Sequence, residues 1–150
     1  MEERDIHGIL KLIVKRLENH FIVWRLDGSA NLRVQGLDVP FSALEMRTNA
    51  EGLRVFKTVL KEFFTREEHN EDSEGDIVYF TLQGVELTVI NNRYNLLHRV
   101  KKVHWRELDL PVFPLKEARA FYVALGKEKL DAIIDRHEGV GPSLEIPAEE

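Results

Sequence analysis

Residues 26–48 read LDGSANLRVQGLDVPFSALEMRT, and the architecture of the chain turns on how this stretch folds. It follows Phe21-Ile22-Val23-Trp24, a short apolar run of strand-forming residues, and reaches Gly28-Ser29 within four positions. That order reads as a buried strand running into a turn. Ser29 is a good helix cap, and the helix it predicts passes through Asn31, Leu32 and Gln35 and stops at Gly36. Pro40 then sits in a loop, and Leu44 to Thr48 is short enough for a second strand. A strand that delivers its chain into a helix N-terminus presents backbone N–H groups and a partial positive charge, where phosphate oxygens bind well. Gly28 and Ser29 are therefore candidate phosphate-binding residues, although a plain glycine turn with a capping serine explains the same letters. Neither a GxxxxGKS loop nor a GxGxxG fingerprint is present.

Outward from this stretch the pattern stays mixed. Ile6, Ile9, Leu10, Ile13, Val14 and Leu17 recur at helical spacing and predict an amphipathic helix over residues 4–18. Thr48-Asn49-Ala50-Glu51 has the spacing of a capping box, with the hydroxyl at the cap and the carboxylate three residues on. Leu53, Phe56, Val59, Leu60, Phe63 and Phe64 give the following helix, over 50–64, its apolar face. Residues 65–76 are acidic and polar and read as an exposed loop. Two strand-like runs, 77–82 and 85–90, flank Gln83-Gly84 and predict a hairpin. Val23, Leu44, Val78 and Leu87 are the expected core positions of the sheet. Pro111-Val112-Phe113-Pro114 reads as an extended connector before a helix carrying Ala118, Phe121, Tyr122 and Leu125, and Lys129, Leu130, Ile133 and Ile134 mark a last helix. The fold class is α/β: one mixed sheet covered by helices, with helices at the C-terminal end.

The 150 residues suit one domain over residues 1–138, with 139–150 a disordered acidic tail. There is no cysteine, which excludes disulfides, thiolate metal sites and cysteine nucleophiles. The longest apolar run, residues 120–125, is far short of a membrane span, and the polar MEERDIHG start predicts no secretory signal, so a cytoplasmic protein without a membrane partner is expected. A net charge of −5 argues against bulk attraction to nucleic acid, but the charge is uneven. Residues 62–76 hold seven acids and one base, whereas 91–106 hold Arg93, Arg99, Lys101, Lys102 and Arg106 and no acid. With Tyr94, His98, His104 and Trp105 between them, these bases suit a nucleoside triphosphate or an RNA backbone, or else a solvated face with Trp105 in the core. The six histidines show no metal spacing, and Ser29 and Ser42 have no paired base.

Several motifs in order then resemble one family. Gly28-Ser29, Asn31-Leu32, Gln35-Gly36, Thr48 and Glu51-Gly52 fall where the small archaeal and bacterial proteins of the polymerase-beta-like nucleotidyltransferase superfamily carry their Gly-Ser turn, Asn-Leu-x-(Leu/Val)-Gln-Gly stretch and Asp-Ile-Asp-Ile-x-Thr strand. Gly84-Val85-Glu86-Leu87 resembles the family's Gly-(Val/Ile)-x-Val-Glu strand, allowing for a shift. Leu110 to Leu115 resembles its Pro-Val-Leu-x-Leu element, and Phe121 to Lys129 its Tyr-x-x-Leu-Gly-Arg-x-x-Lys junction. The match spans residues 22–138.

The resemblance implies a site of three carboxylates holding two Mg2+ ions that bridge the phosphates of a nucleoside triphosphate. The chain departs from it at the metal ligands. The first aspartate position is Ala43 and the second is Glu45, one methylene longer, which leaves Glu45 and Glu86 as the catalytic and metal-ligating residues that the resemblance supplies. Magnesium demands near-octahedral oxygen geometry at short distance, so a missing ligand and a lengthened one both count against it. Two readings follow: a nucleotide-binding or regulatory module with a degenerate metal site, catalytically weak or inactive, or a working enzyme that adds a nucleoside monophosphate to an RNA or protein hydroxyl.

Overall fold

The computed structural model describes residues 2–41, 44–71, 74–91, 97 and 100–124, with the backbone alone for 121–124. Helix α1 spans Glu3–Leu17 and buries Ile6, Ile9, Leu10, Ile13 and Leu17, the stripe its periodicity predicts. Strand β1 is Trp24–Asp27, helix α2 Gly28–Val34, strand β2 Leu44–Thr48 and helix α3 Ala50–Val59. A 3-10 turn at Lys61–Phe63 leads into β3, Phe64–Asn70, then β4, Gly75–Leu82, and β5, Val85–Asn91. Strands β6, Lys101–Trp105, and β7, Leu108–Val112, precede helix α4, Leu115–Ala124.

Strands β1 to β5 form one mixed sheet in the order β1-β2-β5-β4-β3, and β6 and β7 form a separate antiparallel ribbon. Among the described strands only β2 and β5 run parallel. Leu26, Leu44, Met46, Val78, Phe80, Leu87 and Val89 pack with the buried residues of α1 and with Leu53, Phe56 and Leu60 into the main core. Each such side chain contributes about 1.5–3 kcal/mol by leaving water. A smaller cluster of Leu32, Leu37, Val39, Phe113 and Ala118 joins α2 and the chain after it to the start of α4. Asn31 fastens that junction: its Oδ1 accepts from Phe113 N at 2.8 Å and its Nδ2 donates to Phe113 O at 3.0 Å.

The β6–β7 turn is tied back to α1. Arg106 Nη1 lies 3.0 Å from Glu3 Oε2, the Arg106 carbonyl is 2.9 Å from His7 Nε2, and Lys11 Nζ donates to Glu107 at 3.4 Å. Arg106 and Glu107 both have positive φ, as a tight hairpin turn of this hand requires. Gln83 and Gly84, also at positive φ, close the β4–β5 hairpin that the sequence predicts.

Several expectations are corrected. The apolar run 21–24 is not a buried strand: Phe21 is fully exposed and Val23 is 45% exposed, so Val23 is not core. Pairing begins only at Trp24, where Thr48 lies opposite. The cap of α2 is Asp27, whose side chain accepts from Gly28 N at 2.9 Å, rather than Ser29. The cap of α3 is Asn49, which accepts from Gly52 N at 2.8 Å, because the Thr48 hydroxyl is turned away to donate to Val23 O at 2.7 Å. Gly52 is needed there, since a Cβ would stand 1.7 Å from Thr48 Oγ1. Helix α3 stops at Val59 rather than 64. The acidic stretch contains strand β3 instead of a loop, with every side chain exposed and pairing to β4 supplying its order. Pro111 and Val112 belong to β7, not to a connector. The helix expected at 129–134, the tail and the apolar face beyond Ala124 lie outside the described residues.

Candidate functional site

Alternation along the strands sorts the site residues onto one sheet face. Leu26, Leu44, Met46, Leu87 and Val89 point into the main core, so Arg25 and Asp27 on β1, Glu45 and Arg47 on β2, and Glu86 and Thr88 on β5 share the other face. Glu45 and Glu86 are therefore on a common face, as the sequence implies. The register places them apart along the strands. Glu45 lies beside Asp27 on one side and Thr88 on the other, while Glu86 is exposed and pairs with Thr81. Read without a shift, the Gly-(Val/Ile)-x-Val-Glu pattern carries its glutamate at position 88, where this chain has threonine. Ala43 itself, with Ser42, lies outside the described residues.

Gly28 and Ser29 open α2 at the end of β1, next to Glu45. Gly28 has φ +64°, and its missing side chain leaves room for the Glu45 carboxylate: Oε1 is 2.6 Å from where a Cβ would be. The half-buried Glu45 thus lies against the turn.

The sequence reading missed the charges beneath. Asp27 is 3% exposed and Arg25 fully buried, and Arg47 is buried with them. Asp27 Oδ2 accepts from Arg47 Nε at 2.7 Å, with Arg25 Nη2 at 3.9 Å. The Arg25 guanidinium stacks on Phe113, its carbon 3.9 Å from the ring centre. A buried aspartate is retained where cations and donors compensate its lost hydration, and this one also receives the Gly28 N–H. The signal available in sequence was the alternation Arg25-x-Asp27 facing Glu45-x-Arg47, legible only with the β1–β2 register.

Donor chemistry tests the magnesium that the resemblance implies. Among the described residues no three Asp, Glu or His side chains come together closely enough to share a metal ion. Asp27, the carboxylate beside Glu45, is engaged by guanidinium groups, and Thr88 on the other side offers a neutral hydroxyl. The described residues do not fit a two-cation site.

Of the basic segment, Lys101 and Lys102 are exposed on β6, and Arg106 is paired with Glu3. Trp105 is half-buried and meets His7 and Phe41 edge-on, at 6.0 and 6.4 Å between ring centres. Arg93 and Arg99 lie outside the described residues. A shallow depression of about 220 Å³ lined by His20, Glu51, Arg54, Val55 and Thr58 lies by α3, off this face. Among the described residues no helix is long and apolar enough to cross a membrane.

No family profile and no curated protein matches the sequence. Solved structures do match in shape. A candidate nucleotidyltransferase from Thermotoga maritima, TM1012, superimposes with a TM-score of 0.72 at 18% identity, over 93% of this chain and 96% of that one. The lincosamide antibiotic adenylyltransferase LnuA, solved with lincomycin bound, gives 0.61 at 10% identity over 90% of this chain and 97% of its own. The antibiotic-resistance factor ANT(2'')-Ia gives 0.67 at 5% identity, over 92% and 86%. At such identities the likeness is one of fold.

Proposed function

We propose, from the premise that the chain has the nucleotidyltransferase-like fold, that it is a nucleotide-binding or regulatory module whose metal site is degenerate and whose transfer activity is weak or absent. The observation that supports this reading most is the neighbourhood of Glu45: an arginine-bound aspartate on one side and a threonine on the other. Two divalent cations held close together repel, so their joint binding needs dense anionic ligation. Ala43, which stands in the sequence where the resemblance expects the first aspartate, removes one more carboxylate. Nucleoside triphosphate is the ligand this reading assigns, with Gly28 and Ser29 at its phosphates. The cytoplasm is the compartment it implies.

A second reading keeps the enzyme. Glu45 and Glu86 share a face, and exposed Lys101 and Lys102 suit an RNA or protein acceptor with local acidic charge. One experiment separates the two. Thermal unfolding is followed with each nucleoside triphosphate in Mg2+ or Mn2+, beside an assay for transfer of labelled nucleoside monophosphate to RNA and to protein. A nucleotide-induced rise in Tm by mass action without transfer is expected. Transfer that disappears in Glu45→Ala and Glu86→Ala would restore the enzyme.

A further inference from the structure

Asp27 and Glu45 are direct partners across β1 and β2, and both carboxylates converge on Gly28. Asp27 Oδ1 accepts from the Gly28 N–H at 2.9 Å, and Glu45 Oε1 lies 2.6 Å from where a Gly28 Cβ would stand. Two carboxylates gathered at one backbone position, one of them buried, repel and need positive charge between or beside them. A metalloenzyme supplies that charge with a bound cation. Here Arg47 supplies it. Arg47 is two residues beyond Glu45 on the same strand, hence on the same face, and its Nε is 2.7 Å from Asp27 Oδ2. Arg25 adds a second guanidinium at 3.9 Å, held by Phe113.

We infer that Arg47 stands in for a divalent cation: it neutralises the Asp27–Glu45 pair and excludes a metal from it. A guanidinium bonds a carboxylate in a fixed planar geometry and is charged at every pH the protein meets. It is tethered to the strand, so it does not dissociate. It offers no coordination position to a phosphate oxygen and generates no metal-bound nucleophile, which is why this exchange would keep the fold and lose the chemistry. The inference rests on the reading of this face as a degenerate transfer site and adds a residue that makes it so.

The test uses Mn2+ as probe on the full chain, by titration calorimetry and by thermal unfolding in Mn2+ against EDTA at matched ionic strength. The native chain is expected to show weak Mn2+ binding that Glu45→Gln leaves unchanged. Arg47→Met is expected to lose stability in EDTA, to bind Mn2+ about 10–100-fold more tightly than the native chain, the range by which partners of metal ligands alter affinity, and to recover Tm in Mn2+. Adding Asp27→Asn to Arg47→Met should abolish the gain. Arg47→Gln, which keeps a neutral donor for Asp27, takes the place of Arg47→Met if that chain does not fold in EDTA. Tight Mn2+ binding by the native chain that Glu45→Gln or Asp27→Asn removes would overturn the inference. So would the absence of any Mn2+ gain in both Arg47 variants. Nucleotide transfer by the native chain would instead strike the functional reading, so the two failures are separable.

Discussion

The two edges of the main sheet carry similar charged residues in opposite surroundings. At the β1–β2 edge, Arg25, Asp27 and Arg47 are buried, Arg25 stacked on Phe113 and a guanidinium nitrogen of Arg47 2.7 Å from the Asp27 carboxylate. At the β3–β4 edge, Arg66 pairs with Glu68 and stacks 3.7 Å from the Tyr79 ring, Tyr79 donates to Glu68 at 3.1 Å, and His69 pairs with Asp76 at 2.7 Å, all with little burial. Exposed pairs of this kind contribute little, because water and salt screen them and ordering long side chains costs entropy. The buried group is different in kind. Its net worth against an apolar replacement is small, yet removing one partner leaves a charge in a medium that cannot solvate it. The lesson is that the count of ion pairs says little here; what matters is what remains when one member goes. Charge on β3 keeps an exposed edge from pairing with other chains, helped by the bulge between Phe64 and Arg66. Charge on β1 and β2 occupies the interior of a candidate site.

The comparison is broken most directly at Asp27. Asp27→Asn leaves Arg25 and Arg47 buried beside a neutral amide and should lower the unfolding free energy by about 3–5 kcal/mol in urea titrations; an effect under about 1 kcal/mol would put both edges in one class. Next comes Asn31→Ala. It removes the Asn31 acceptor of the buried Phe113 amide N–H and one donor to its carbonyl, and an expected loss of about 1–3 kcal/mol would show that neutral groups on this side obey the same rule. Gly28→Ala forces an L side chain to φ +64° and against Glu45. The backbone part should cost about 1–2 kcal/mol. A double-mutant cycle with Glu45→Ala should relieve only the remainder, the contact with a flexible carboxylate.

The smallest effects belong to the exposed edge and are visible chiefly in pH dependence. The hydrogen bond that His69 donates to Asp76 raises the His69 pKa above its ordinary 6.5. Its contribution is therefore full below that value and is lost as pH rises through the raised one. The urea midpoint should drift down slightly across this window, and His69→Ala should flatten the drift. The Arg66 hydrogen bond lowers the Glu68 pKa, and the Arg16 hydrogen bond lowers that of Glu62. These contributions are present above 4.5 and disappear on acidification through the lowered values.

The elements that could be read from sequence are those whose own side chains decide them. Leu44 to Thr48 and the Gln83-Gly84 hairpin carry alternation or turn chemistry in their letters. Strand β3 has neither, since no side chain on it is buried and its order comes from the backbone of β4. The short ribbon of β6 and β7 hid behind its prolines and bases. At the site, Gly28-Ser29 was legible as a turn before a helix, but its proximity to Glu45 is set by the pairing of β1 with β2, which the letters do not give. Asp27 was not, because a buried acid next to glycine looks like an ordinary turn residue until Arg47, twenty positions later, is placed beside it. Nor could the letters decide whether Glu86 or Thr88 neighbours Glu45, which is a question of register between strands more than forty residues apart.

The tie between α1 and the β6–β7 turn has a consequence in time. Glu3, His7 and Lys11 meet partners 96 to 103 positions further along the chain. At about 5–20 residues per second, a ribosome needs roughly 5–20 s to make the intervening segment. The first helix therefore leaves the exit tunnel well before the turn that completes its polar contacts exists. Through that interval its apolar stripe has only the earlier strands and α3 to lean on. Synthesis order and closure order run in opposite directions in this chain, and a nascent chain arrested before residue 106 would carry its N-terminal helix without the ribbon that anchors it.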